Sequence, residues 1–202
     1  MKQEGILIII SGPSGTGKST IVKEFTKRNG DVELSVSATT RKIRPGEEEG
    51  KNYFFISEET FIEKLKQEAF LEYAQVYGNY YGTPRDFVND KLSEGKNVLL
   101  EIDTEGALQI KEKFPQGVFI FIVPPSISEL QRRINSRGTE TEEEVKRRLN
   151  SSIDEIKQLA HYDYVVMNDQ VEKAVQLIEA ILIAEKASVL RSGSYWLKTF
   201  TL

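Results

Sequence analysis

The chain has 202 residues, 39% hydrophobic and 29% charged, and its 27 basic against 31 acidic side chains give a formal charge of −4. That composition is of a folded globular chain with a sizeable core, and its negative sign argues against nucleic acid or an anionic membrane as the default partner. Cysteine is absent and His161 is the single histidine, which excludes disulfides, a thiol nucleophile, a Cys/His zinc cage and a histidine pair on a metal, so the chemistry must run on Lys, Arg, carboxylates, hydroxyls and backbone amides.

Met-Lys-Gln-Glu at the start lacks a signal-peptide pattern, and no apolar run nears the roughly 20 residues of a membrane span, so a cytoplasmic location is expected. Ile6–Ile10 is a continuous, β-branched run that ends at Ser11-Gly12-Pro13, the pattern of a strand buried on both faces of a parallel sheet. Behind it Ile21, Val22 and Phe25 recur at helical spacing up to the stop signal Asn29-Gly30. Leu34–Thr39 alternates apolar with hydroxylated residues and reads as one strand with a single core face, which puts Ser37, Thr39 and Arg41 together on the other. Asn52–Ile56 and Phe70–Val76 are further short strands, and between them Ser57 caps a helix carrying Phe61, Ile62 and Leu65. Val98–Ile102, Val118–Val123 and Tyr164–Met167 repeat the buried-strand pattern, and a helix from Val171 to Leu190 closes the core. The expected organisation is an α/β core from residues 1–34, 89–125 and 150–202, interrupted by an α+β insertion at 35–88 and a basic, helical one at 126–149.

Gly12-Pro13-Ser14-Gly15-Thr16-Gly17-Lys18-Ser19 matches G-x-x-x-x-G-K-[ST] between a strand and a helix, the context in which that loop cradles phosphate. Its glycines let successive N–H groups and the helix N-terminus point at negative charge, Lys18 reaches the β/γ-phosphates, and the Ser19 hydroxyl suits Mg²⁺. Glu101 and Asp103 end a strand two residues apart and so share a face, beyond the carboxyl edge where ligands of open α/β sheets collect. Two readings of that pair stand: a metal or acceptor role, and a helix cap by Asp103 before Thr104-Glu105-Gly106. Arg41 and Arg44 flank a turn at Pro45-Gly46 and suit bidentate phosphate recognition, though solvated arginines at a turn look the same. Tyr53 and Tyr81 read equally as phosphate donors and as packing residues. Arg132, Arg133, Arg137, Arg147 and Arg148 read either as site cations or as a helix face paired with Glu142–Glu144. His161 reads as a packing or helix-capping residue, and the tail around Trp196 carries no chemistry.

These blocks together resemble the guanylate kinases over about residues 5 to 187. The resemblance is carried by the Ser11–Ser19 loop, by Ser35-Val-Ser-Ala-Thr-Thr-Arg41 with Arg44-Pro-Gly-Glu47 and Gly50-Lys-Asn-Tyr53, by Gly78-Asn-Tyr-Tyr-Gly-Thr83, by Glu101-Ile-Asp103 and by Arg137-Gly-Thr-Glu-Thr-Glu142. It implies a P-loop NTPase-type parallel sheet flanked by helices, a GMP-binding subdomain at 35–88 and a lid at 126–149. The implied reaction moves the γ-phosphoryl of ATP to GMP with Mg²⁺, and the implied partners are these two small molecules, without nucleic acid or membrane. By the same resemblance ATP falls to Gly12, Pro13, Ser14, Gly15, Thr16, Gly17, Lys18, Ser19, Thr20 and Asn168, and the metal to Ser19 and Asp103. GMP falls to Ser37, Glu72 and Thr83 at the base, to Arg41, Arg44, Tyr53 and Tyr81 at the phosphate, and to Glu47, Glu101, Asp103 and Gly106 around them. Lys18, Arg41, Arg133, Arg137 and Arg148 are then the catalytic cations. Glu105 stands where that family commonly has glutamine, and the match fades after about Ala187.

Elementary chemistry agrees. Guanine offers N1–H and N2–H₂ as adjacent donors that one carboxylate can accept, whereas adenine opposes it with an acceptor at N1. The rivals are a P-loop kinase for another phosphorylated acceptor and a non-catalytic scaffold module; the second typically has a degraded loop, and this loop is complete.

Overall fold

The computed structural model describes residues 4–76, 78–135 and 142–200. Its central sheet is built from β1 (Leu7–Ser11), β2 (Val32–Leu34), β7 (Asn97–Glu101), β8 (Val118–Val123) and β9 (Tyr164–Met167), in the order β2-β7-β1-β8-β9. All neighbours in it are parallel. Parallel neighbours need crossovers, and these are supplied by α1 (Lys18–Arg28), α4 (Thr104–Lys113), and α5 (Ile127–Asn135) with α6 (Glu142–Ile156). The strand period of two divides β1 between two cores: Ile8 and Ile10 pack with α1 and with α7 (Val171–Ala187), while Leu7 and Ile9 pack on the other face with α4 and with α3 (Arg85–Ser93). Burial on both faces explains the unbroken apolar runs.

A second, mixed sheet of four strands lies apart, in the order β4-β3-β6-β5, from β3 (Ala38–Thr39), β4 (Phe54–Phe55), β5 (Phe70–Val76) and β6 (Asn79–Pro84). Its separate core is Ala38, Phe61 and Phe70, with Phe61 brought by α2 (Glu58–Lys66) and stacked on Phe70 at 4.4 Å between ring centres. Ser57 caps α2 as its sequence position predicts, accepting the Thr60 N–H at 3.2 Å.

Several expectations need correction. Leu34–Thr39 is not one strand: β2 ends at Leu34, the Ser35 N–H makes a last bond to the Leu99 carbonyl, and after Ser37 the chain enters the other sheet as β3. Thr39 consequently does not share an open face with Ser37 and Arg41; it is buried, donating to the Tyr80 carbonyl and accepting the Arg41 N–H. The strand expected at Asn52–Ile56 shortens to Phe54–Phe55. The closing helix stops at Ala187, because Ser188 is extended (φ −59°, ψ 133°), and a further helix, α8, runs Val189–Phe200. Helices α3 and α6 run unbroken across positions 88/89 and 149/150, so the core and the two insertions are joined there by continuous helix. The turn at Arg137 lies outside the described residues.

Candidate active site

The phosphate loop follows β1 and ends where α1 begins. Gly17, at φ 86°, sits in the left-handed region that favours glycine, and a Cβ there would lie 2.5 Å from Asn168 Nδ2. Gly12 is packed as tightly, since its Cβ would meet the Ile122 carbonyl oxygen at 2.3 Å. Glycine is therefore demanded both by conformation and by space. Lys18 Nζ donates to the carbonyls of Gly12 and, at 3.0 Å, Pro13. Asn168, at the end of β9, donates through Nδ2 to the buried Thr16 carbonyl at 2.7 Å. Arg133 of α5 reaches the same carbonyl at 3.3 Å and the Asn168 carbonyl at 3.0 Å, and Arg148 of α6 donates to Ser14 Oγ at 2.8 Å. Two arginines from two helices thus touch the loop, while Thr20 lies exposed on α1.

At the neighbouring end of β7, Ser19 Oγ donates to Glu101 Oε1 at 2.5 Å, joining loop and strand end. Asp103 Oδ1 accepts the Gly106 N–H at 2.7 Å, so the capping reading holds for α4. The same aspartate lines a cavity of about 320 Å³ with Ser37, Tyr53, Glu72, Tyr81 and Glu101. A smaller one of about 140 Å³, lined among others by Ser35, Asn52 and Thr83, shares Ser37, Tyr53 and Glu101 with it.

Glu72 is the most buried ionisable group of this bay, with 6% of its surface exposed, and Thr83 Oγ1 donates to its Oε1 at 2.6 Å. Burial pushes its carboxyl above the ordinary carboxylate range, against the pull of that hydrogen bond and with the Asp103 charge adding to the rise. Gly106 packs beside it: a Cβ there would lie 2.9 Å from Glu72 Oε2 and shift the end of that side chain.

Across the cavity Arg41 forms a bidentate pair with Glu47 at 3.0 and 2.8 Å, and Glu47 also accepts the Arg44 N–H at 2.8 Å. The Arg41 guanidinium and then that amide hold the Glu47 carboxyl down at about 2. Glu47 is thereby a holder of Arg41, whose guanidinium carbon lies 5.4 Å from the Tyr53 ring centre. Tyr53 in turn meets Tyr81 edge-on at 5.9 Å. Arg44 contributes this backbone contact from an exposed position.

The structure therefore brings Ser37, Tyr53, Glu72, Tyr81, Thr83, Glu101 and Asp103 around adjoining cavities, sets Arg41 against Tyr53 beside them, and joins the loop to the same strand end through Ser19 and Glu101. Arg137 lies outside the described residues. Sequence reasoning passed over Glu129, which accepts from Arg132 and from Arg133 Nε at 2.7 Å and so aims Arg133 at the loop. Its signal was the four-residue spacing to Arg133. His161 is exposed at the end of a short 3₁₀ helix, where its carbonyl accepts from Lys111, and has no part in the bay.

With this geometry in place, comparison with known proteins is informative. A family model described as guanylate kinase matches residues 4–185. A guanylate kinase of Caldanaerobacter subterraneus subsp. tengcongensis is 55% identical over 198 residues, covering 98% of this chain and 96% of its own length. One of Clostridioides difficile is 50% identical over 198 residues, covering 98% and 97%. The crystal structure of guanylate kinase from Anaplasma phagocytophilum superimposes with a TM-score of 0.76 at 35% identity, over 95% of this chain and 91% of that one.

Proposed function

The chain belongs to the guanylate kinase family and is an ATP:GMP phosphotransferase, and from that premise we propose how its residues divide the two substrates. The loop from Gly12 to Thr20, through its N–H groups (Pro13 has none) and the Lys18 ammonium, holds the ATP phosphates, with Asn168 and Arg133 bracing it through the Thr16 carbonyl. GMP occupies the cavity, its base toward Glu72, Ser37 and Thr83 and its phosphate toward Arg41, Arg44, Tyr53 and Tyr81. Residues 35–88 act as the acceptor subdomain and 126–149 as the lid, with the remainder as core.

The acceptor nucleophile is a phosphate oxygen, already anionic near neutral pH, so no general base is required. Catalysis then consists of placing two polyanions in line and compensating their charge, the task of Lys18, Arg41, Arg133, Arg137 and Arg148. Glu101 and Asp103, beside the cavity at the end of β7, orient the acceptor.

Mg²⁺ fits the donor atoms at this junction. The Ser19 hydroxyl and the Asp103 carboxylate are hard oxygen ligands at adjoining ends of the loop and the β7 strand, and no cluster of three or more acidic or histidine ligands occurs among the described residues. One or two protein oxygens plus substrate phosphates is the usual Mg²⁺ arrangement in kinases. Ser19 and Asp103 would hold the ion, which when bound neutralises charge on the phosphates.

The observation that carries the base assignment is Glu72: buried, acceptor-only when ionised, bonded to Thr83 and open to the cavity. A site built on such bonds rejects the wrong base by up to ~10⁴-fold. A coupled assay of GMP, AMP and pyrimidine monophosphates should show GMP strongly preferred; comparable rates for GMP and AMP would overturn the assignment. No helix among the described residues is long and apolar enough to cross a membrane. We read the location as cytoplasmic, since both charged nucleotides need a carrier to leave that compartment.

A further inference from the structure

Strand β5 carries Glu72 through an irregular stretch. Phe70 pairs with Pro84 and Tyr73 with Gly82, so β5 spends one residue more than β6 between those pairs. A bulge of this kind breaks the alternation of faces and re-aims a side chain, with local loss of ladder bonds. Phe70, Leu71 and Glu72 are accordingly buried in succession instead of in alternation. β5 is also the last strand of the mixed sheet. Helix α4 supplies what that edge lacks. Gln109 bonds the main chain of Tyr73 twice, its Oε1 accepting the N–H at 3.2 Å and its Nε2 donating to the carbonyl at 3.0 Å, as a paired strand residue would. One turn on, Lys113 Nζ donates to the Leu71 carbonyl at 2.9 Å. Four residues apart and so on one face of α4, the two side chains hold the main chain on either side of Glu72. The same helix is capped by Asp103, which lines the Glu72 cavity, and its first turn carries Gly106, packed against Glu72 Oε2.

We propose that Gln109, together with Lys113, is a positioning residue for base recognition: by gripping β5 on both sides of Glu72, it sets that carboxylate in register with the helix that bears Asp103. Thr83 fixes one carboxylate oxygen from β6, and the α4 grip fixes the backbone from which the side chain departs. Neither Gln109 nor Lys113 lines either cavity of the bay, so both act through Glu72. Two adjacent donors on a base are read only when the carboxylate lies squarely opposite them, and a misplacement of about 1 Å can cost as much as 10²-fold. A purely structural account, in which Gln109 only covers a sheet edge, predicts lower stability with an unaltered choice of base.

This inference deepens the assignment of guanine to Glu72 and rests on it, so the test carries Glu72→Gln in parallel. Gln109→Met keeps side-chain length and helix preference and removes both bonds to Tyr73. kcat/KM is measured for GMP and for inosine monophosphate, whose base keeps N1–H and lacks the 2-amino group. The ratio of the two should narrow at least threefold, with the loss on GMP and the KM for ATP within twofold of the parent. In a Glu72→Gln background the same substitution should narrow the ratio by less than half that factor, because the carboxylate it positions is gone. A ratio that narrows less than threefold in the parent, or by half that factor or more in the Glu72→Gln background, overturns the proposal. Should Gln109→Met fail to fold, Lys113→Met, which frees the Leu71 carbonyl, is held to the same threshold. If Glu72→Gln alone leaves the ratio unchanged, the base assignment fails; if it collapses the ratio while Gln109→Met preserves it, only this inference fails.

Discussion

Replacing Glu72 with glutamine separates what the carboxylate does for recognition from what it costs the fold. The amide fits the same space and its oxygen can still accept from Thr83, whose hydroxyl lies 2.6 Å from Oε1. What changes is the other oxygen, which becomes an NH₂ donor facing the donors of guanine. One charge-assisted hydrogen bond, worth roughly 1.5–3 kcal/mol, is lost, and a buried donor left unpaired adds about 1–2 kcal/mol. The sum, about 2.5–5 kcal/mol, predicts a fall in kcat/KM for GMP of the order of 10²–10⁴, since each 1.4 kcal/mol is tenfold. Stability should move the other way. Because burial raises the Glu72 carboxyl, the native protein holds that proton to a higher pH than the unfolded chain does. The native state accordingly loses stability from this group as pH rises through the raised value, and above that value it carries the full cost of a buried charge. Removing it should gain roughly 1 kcal/mol, or about 2–4 °C in Tm for a chain of this size. That advantage should shrink as pH falls to the ordinary carboxylate value of 4.5, where unfolded chains bind the proton as well. Coupled kinetics and thermal melts between pH 4.5 and 7.5 measure both. A kcat/KM within threefold of the parent, or a Tm that drops at neutral pH, would refute the reasoning.

Arg41→Ala should raise the KM for GMP roughly 10–100-fold, the worth of a charged, hydrogen-bonded contact, with the KM for ATP within about twofold; equal effects on both substrates would place Arg41 elsewhere. Gly17→Ala forces a side chain into φ 86° and within 2.5 Å of Asn168 Nδ2; strain of roughly 1–3 kcal/mol should lower Tm by about 2–12 °C and weaken ATP binding in calorimetry. Excess chelator should abolish turnover and leave GMP binding intact by titration, and turnover that persists without divalent cation would dismiss Ser19 and Asp103 as metal ligands.

The parts of this architecture that were legible in the sequence are those whose physics is local. Ile6–Ile10 and Val118–Val123 read as doubly buried strands because every side chain in them is apolar, and the phosphate loop reads from its glycines, each answering to a nearby backbone constraint. Ser57 and Asp103 were legible as caps for the same reason. What stayed hidden depended on distant partners. Leu34–Thr39 alternates like one strand because alternation records faces, and says nothing of which sheet each end joins. No glycine or proline marks Ser188, where α7 stops, and the turn is held by Arg191 reaching back to Glu185 at 2.6 Å. Glu72 was singled out by resemblance alone; the residue-level trace it left was a carboxylate inside the apolar strand Phe70-Leu71-Glu72, whose burial only the tertiary structure supplies.

The modest core beneath the mixed sheet has a consequence for local unfolding. Among the described residues its buried apolar cluster is Ala38, Phe61 and Phe70, with Phe54, Ile56, Leu65 and Tyr80 partly buried against it, whereas the parallel sheet lies between two far larger apolar layers. Amide hydrogens of β3 to β6 should therefore exchange with solvent through shallow, partial openings, long before those of β1 or β8. GMP, bound in the cavity as proposed, is expected to slow that exchange most in β5 and β6, the strands that carry Glu72, Tyr81 and Thr83.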